Sequence, residues 1–234
     1  MCISYQNQQR VLFDLVEDQF RRGIKPTSIV KPVENYALDN RFYLTSVSFL
    51  SESLQETILK EIIEPLKAAD PEQYYYLKKS LHVTIFNVFM PNHIDLVTVD
   101  MLNKIRAIFK KVLSKHPPIE FELRGLFELP SSIGIRCYCN ENLKHVIQDL
   151  EKELAKINIK NEKRLASEEI FFGNVTVSRF VDKPNSKFKD VVKKLKHTSF
   201  GTFTAESVSL IKSNAVVHPN MTRVYDTYQF QCQA

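Results

Sequence analysis

Apolar positions along this chain recur at two spacings, three to four residues apart or two apart, and each switch between them marks a change of element. Leu12, Leu15, Val16 and Phe20 share one helical stripe that halts at Gly23, a residue type that ends helices readily. An amphipathic helix docked along one face is expected there. Residues 24–40 hold Pro26 and Pro32 and no sustained period, so they read as an extended connector. Residues 1–40 are thus expected to form a helical N-terminal extension with its connector, and 41–234 a single two-lobed domain.

β-Branched and aromatic content makes 42–50 a strand, and Ser53 with Glu56 has capping-box spacing for a helix that Pro65 should end or kink. Residues 74–90 return to strand character. Met101, Leu102, Ile105, Ile108, Phe109 and Val112 then mark a helix stopped by Pro117 and Pro118. Two strands are expected over 119–129 and 133–139, followed by a helix carrying Leu143, Val146, Ile147, Leu150 and Leu154 behind an Asn140 cap. A strand at 171–180, a Lys-rich helix starting near Ser186, and two closing strands joined around His218 complete the chain. Strands and helices mixed in two similar halves predict an α+β fold with internal pseudo-symmetry.

With 234 residues, 44% hydrophobic and 25% charged, and only 5 Gly and 10 Pro, the chain suits one large domain or two packed lobes and is neither collagen-like nor disordered. No segment reaches the roughly 18 apolar residues of a membrane span. Met1 to Arg10 also lacks the apolar run of a signal peptide, so a soluble cytoplasmic protein is expected. The formal charge of +5 permits an anionic ligand without requiring one. Its densest run, KPNSKFKDVVKKLK at 183–196, reads first as a solvated helix face and second as a hold on a nucleic-acid backbone. Cys2, Cys137, Cys139 and Cys232 show no CxxC spacing, and are expected as buried free thiols rather than a zinc site or disulfide framework.

Two strands carry polar residues at alternate positions. Leu81, Val83 and Ile85 share one face while His82 and Thr84 share the other; likewise Val175 and Val177 face inward, with Asn174, Thr176 and Ser178 aligned opposite. These segments, HVT at 82–84 and NVTVSR at 174–179, resemble the paired His-x-Thr motifs of the 2H phosphoesterase superfamily. That group includes the LigT-like proteins, called 2′-5′ RNA ligases or RNA 2′,3′-cyclic phosphodiesterases. The order of elements from about Arg41 to Phe230 is similar to that family too, with LRGLFELPSSIGIRCYC before a helix and SVSLIKS before a strand holding Tyr225. The resemblance implies two antiparallel sheets with helices outside, flanking a cleft into which both motifs project. It also implies action on 2′,3′-cyclic or 2′-5′ phosphodiesters with no metal and no other cofactor. The implied partner is an RNA terminus or a small cyclic nucleotide or oligonucleotide, with no membrane involved, and a monomer is expected.

Opening a cyclic phosphate needs a base to deprotonate water and an acid to protonate the leaving oxygen, and imidazoles titrate in the right range. By the resemblance, His82 is one such group, Thr84 and Thr176 donate hydrogen bonds to phosphate oxygens, and Asn174 replaces the second motif histidine. An amide hydrogen-bonds phosphate or water but exchanges no proton near neutrality; loss of one acid–base group typically costs ~10²–10⁴ in rate. Asn174 leaves three readings open. The chain is a weakened or binding-only relative, or it carries a substitution made to trap a complex, or another group supplies the proton, with His93, His116, His145, His197 and His218 as candidates. Arg179 is a candidate phosphate contact, although simple alternation puts it on the opposite parity from Thr176. Phe86 and Tyr225 are candidate stacking partners for a base, with core packing as the competing reading. A module that holds a nucleotide or RNA end without turnover competes with the enzyme throughout.

Overall fold

The computed structural model describes residues 4–24, 30–160, 167 and 169–231. Nine strands form two antiparallel sheets among them. The strands are β1 (Tyr43–Phe49), β2 (Tyr74–Tyr75), β3 (His82–Phe89), β4 (Ile119–Leu129), β5 (Ser132–Cys139), β6 (Gly173–Arg179), β7 (Ser199–Ala205), β8 (Ser207–Ser213) and β9 (Arg223–Gln229). Their order is β3-β1-β8-β9 in one sheet and β2-β6-β5-β4-β7 in the other. With helices α1 (Tyr5–Arg21), α2 (Glu52–Ile58), α3 (Glu64–Ala69), α4 (Val99–Leu113), α5 (Asn142–Ala155) and α6 (Ser186–Leu195) the fold is α+β, as the pattern predicts.

The lobes are interleaved along the chain rather than being its two halves. β2 comes early but joins the second sheet, and β8 and β9 come last but complete the first. This explains two breaks that alternation alone does not show. Residues 74–90 divide into β2 and β3 around a 3-10 turn at Lys78–Ser80, and the closing region yields three strands, β7 and β8 parting at Glu206. Each break is where the chain leaves one sheet for the other.

Local chemistry accounts for the helix ends. Ser51, not Ser53, occupies the cap position of α2, and the Ser53 carbonyl instead accepts a bond from Thr57 Oγ1 inside the helix. Pro65 does not stop the helix: a π-helical turn at Leu59–Ile63 passes the chain into α3, whose first turn needs no amide from the proline. Glu141 occupies the cap position of α5 without a side-chain capping bond, while Asn140 Oδ1 accepts from the Asn142 amide. α6 buries Phe188 and exposes Lys187, Lys189, Lys193 and Lys194, which makes the lysine run a solvated face.

One continuous core joins both lobes. It includes Ile58, Ile62 and Leu66 from the α2–α3 segment, Phe109 of α4, Leu150 of α5, and the inward faces Val83 of β3 and Val175 and Val177 of β6. Where β3 and β6 pack, Gly173 permits the approach: a Cβ there would lie 2.9 Å from Val83 Cγ1 and 2.8 Å from Phe121 Cε1.

α1 forms as expected, yet buries Gln9, Leu12, Phe13, Val16 and Glu17 and leaves Leu15 exposed. The predicted stripe supplies Leu12 and Val16 to that face but misses Phe13 and the polar Gln9 and Glu17, which find partners on the sheet. The connector is built in as well. Tyr36 is buried, its hydroxyl donating to the Phe180 carbonyl at 3.0 Å and its carbonyl accepting from Asn214 Nδ2 at 3.0 Å. The boundary expected near residue 41 therefore marks no break in packing. Cys137 and Cys139 are free and buried; Cys2 and Cys232 lie outside the described residues. No helix among those residues is long and apolar enough to cross a membrane.

Candidate functional site

An open cleft of about 520 Å³ lies between the motif strands. β3 contributes His82, Thr84 and Asn87 to its lining, and β6 contributes Asn174, Thr176 and Arg179. Tyr43 and Thr45 of β1, Tyr76, Val30 of the connector and the loop after β8 close it.

The two strands present their polar residues in the same way. Each alternates cleanly through the His-x-Thr or Asn-x-Thr segment, and each takes an extra residue directly after it, β3 taking a second at Val88 beyond Asn87. In β3, Thr84 pairs with Val47 but Phe86 with Ser46, so Ile85 is the surplus residue. In β6, Thr176 pairs with Gly134 but Ser178 with Ile133, so Val177 is surplus. A bulge reverses the parity of the residues beyond it. Asn87 and Arg179, each five residues beyond its motif's first residue, therefore enter the cleft.

The same bulges correct two expectations. Phe86 turns into the core, 1% exposed and edge-on to Phe109, so it does not stack on a ligand. Ser178 is likewise fully buried rather than aligned with Asn174 and Thr176. Tyr225 also lies elsewhere, beside Arg223 in a separate cavity with Arg106 and Lys212, because β9 is the far edge of the first sheet. Arg179 is placed in the cleft despite the parity argument against it.

His82 Nδ1 lies 2.7 Å from the Ser80 carbonyl. A carbonyl only accepts, so Nδ1 carries the hydrogen and Nε2 is the nitrogen that gains or loses a proton without breaking this bond. Asn174 Nδ2 donates to Thr176 Oγ1 at 3.4 Å. Arg179 donates from Nε to the Tyr76 hydroxyl at 3.0 Å and from its Nη2 to the Ala215 carbonyl at 3.2 Å, while Tyr76 donates to the same carbonyl at 3.0 Å. Both hydrogen-bond partners of the guanidinium are neutral, and the nearest carboxylate that feels its charge, Asp39, is itself bonded to Arg41. Burial raises the Tyr43 phenol pKa against the opposing pull of Arg179, which keeps this hydroxyl protonated. The loop beneath Arg179 is held by Asn214 Oδ1, which accepts the His218 amide at 3.1 Å, and by Ser80, which donates to the Val217 carbonyl at 2.8 Å. Val217 has φ of 49°, unusual for a β-branched residue.

Among the described residues His82 is the one histidine lining the cleft. His116 instead pairs with Asp149 at 2.9 Å between α4 and α5. Sequence reasoning missed Asn87, Tyr43, Thr45, Tyr76 and Asn214. Only Asn87 left a signal, its spacing of five from His82 matching that of Arg179 from Asn174.

Two antiparallel sheets offering matched motif strands to one cleft make a two-lobed phosphoesterase-type fold. The profile of the 2′-5′ RNA ligase superfamily matches residues 51–216, well over half of the chain, and the protein belongs to that superfamily. TT0787 of Thermus thermophilus superposes with a TM-score of 0.59 at 15% identity, over 82% of this chain and 100% of its own. E. coli LigT complexed with NADP+ gives 0.56 at 12% identity, over 81% and 98%. These similarities establish the fold. No curated protein matches in sequence.

Proposed function

We propose that this protein binds a 2′,3′-cyclic or 2′-5′ phosphodiester of an RNA end or small nucleotide in the cleft, and opens it slowly without a metal. The observation that carries this is the convergence of His82-x-Thr84 and Asn174-x-Thr176 on one cleft, with the cation of Arg179 beside them. In this reading His82 Nε2 takes a proton from the attacking water. The Thr84 and Thr176 hydroxyls and Arg179 hold the charge gathering on the non-bridging oxygens. Asn174, in the place of the second histidine, orients phosphate or water but supplies no proton, so the departing oxygen takes its proton from solvent. Crystals of E. coli LigT hold NADP+, ATP and 3′-AMP, which supports a nucleotide ligand for this fold. Asn174 itself favours a second reading, a pseudoenzyme that sequesters the same ligand.

Product formation from a short RNA ending in a 2′,3′-cyclic phosphate, without added metal, tests both. Conversion to the 2′-phosphate that is lost in His82→Ala supports the enzyme. Binding without conversion selects the pseudoenzyme, and absence of both removes the phosphodiester reading.

A further inference from the structure

The N-terminal helix lies on the same sheet face as the cleft. Residues directly opposite in an antiparallel ladder project to one side of the sheet. Arg136 of β5 stands opposite Asn174, and Gly134 opposite Thr176. Phe127 of β4 is the ladder partner of Gly134, and its ring covers that glycine so closely that a Cβ would sit 2.8 Å away. Asn174, Thr176, Arg136 and Phe127 therefore belong to one face, and α1 covers the part over β5 and β4. Phe13 packs edge-on against Phe127 and Tyr138, with ring centroids 5.1 and 5.4 Å apart, and against Phe172 at 4.1 Å. Glu17 accepts from the Arg136 guanidinium at 2.7 Å and from the Glu128 amide at 3.1 Å, while Asp14 takes a second Arg136 bond at 2.9 Å. Lys196 approaches Glu17 to 3.8 Å.

We infer that α1 is a wall that sets ligand length: it ends the nucleotide groove at β5, so the cleft takes a small or terminal phosphodiester and excludes an RNA strand continuing across the second sheet. The face under α1 combines cations, Arg136 and Lys196, with aromatic rings, Phe127, Tyr138 and Phe172, the pairing on which single-stranded nucleic acid lies. α1 occupies both features, its carboxylates on the cations and Phe13 on the rings. The inference rests on the phosphodiester reading above and adds to it the reach of the ligand.

The test is equilibrium binding by the full-length protein to a cyclic mononucleotide, a dinucleotide and a decanucleotide, each ending in the same 2′,3′-cyclic phosphate. For the unaltered protein, affinities for the dinucleotide and the decanucleotide should agree within about threefold, because no further base finds a stacking surface. Phe13→Ala and Glu17→Gln, each checked for folding by its thermal melt and for loosening of α1 by amide exchange over residues 5–21, should favour the decanucleotide by about tenfold or more, with mononucleotide affinity unchanged. If Phe13→Ala does not fold, Glu17→Gln, which keeps the side-chain volume, carries the comparison. Affinity of the unaltered protein that climbs about tenfold with length overturns the inference, as does a loosened α1 without any length effect. Failure of all three probes overturns the phosphodiester reading along with it; that case is distinct because the mononucleotide fails too.

Discussion

In the proposed reaction Asn174 offers hydrogen bonds without an exchangeable proton, while His82, its Nδ1 tied to the Ser80 carbonyl, exchanges the proton at Nε2. Turnover should then follow a single histidine-like ionisation. Asn174→His should raise it by about 10²-fold or more and turn the pH–rate profile into a bell; an unchanged rate on cyclic-phosphate RNA would remove Asn174 from its assigned place. Burial sets a second residue-level expectation. It raises the Cys139 thiol from 9.0 to about 12 and the Tyr5 phenol from 10.0 to about 12, and pushes Cys137 higher still. Each folded value is raised, so the stabilisation is complete below the unfolded values and drains away as pH rises through the folded ones. The melting temperature should fall between pH 9 and about 12, where the unfolded thiols ionise first. Alkylation of the native protein at pH 9 should spare Cys137 and Cys139, read by peptide mass mapping.

Bulges in β3 and β6 do the positioning that simple alternation cannot. Each strand supplies two residues before its bulge and one after, giving His82, Thr84 and Asn87 on one side and Asn174, Thr176 and Arg179 on the other. The distance between these strands is set by Gly173, against which Val83 and Phe121 close. Gly173→Ala forces a methyl into filled space and should cost about 1–3 kcal/mol, the usual range for overpacking. Urea denaturation reads that loss directly; a midpoint unchanged from the parent would mean that the sheets give way there without strain.

At the scale of the molecule, two lobes share one core and a terminal helix is tied to the second sheet by a buried ion pair. Arg136 and Glu17 are 6% exposed each and bonded at 2.7 Å. Glu17→Gln removes the buried carboxylate and leaves Arg136 with the largely exposed Asp14 as its remaining acidic partner, so it should cost about 1.5–3 kcal/mol, the range for a hydrogen bond to a charged group. The double substitution Glu17→Leu with Arg136→Met, which removes both charges together, should cost clearly less than Arg136→Met alone. Thermal and urea unfolding of the three variants give this comparison, and a double variant no more stable than the single one would mean that the pair is not coupled. The connector joins the same unit through Tyr36 and through Val30, which lines the cleft.

Much of this was legible along the chain because it is local. Helix stripes at α4 and α5, the strand character around each motif, and the shared face of His82 with Thr84 and of Asn174 with Thr176 follow from side-chain period alone, which a single element carries in its own residues. Sheet membership and register are different in kind, since they are relations between segments far apart in sequence. The entry of β2 into the second sheet, the return of β8 and β9 to the first, and the surplus residues Ile85 and Val177 exist only once partners are chosen. Those pairings moved Phe86 and Ser178 into the core and Asn87 and Arg179 into the cleft. The same applies to α1: Gln9 and Glu17 are polar on any hydropathy scale, and they are buried because the Cys139 amide and Arg136 meet them there. Periodicity determined which faces exist, and packing between distant strands decided what each face meets.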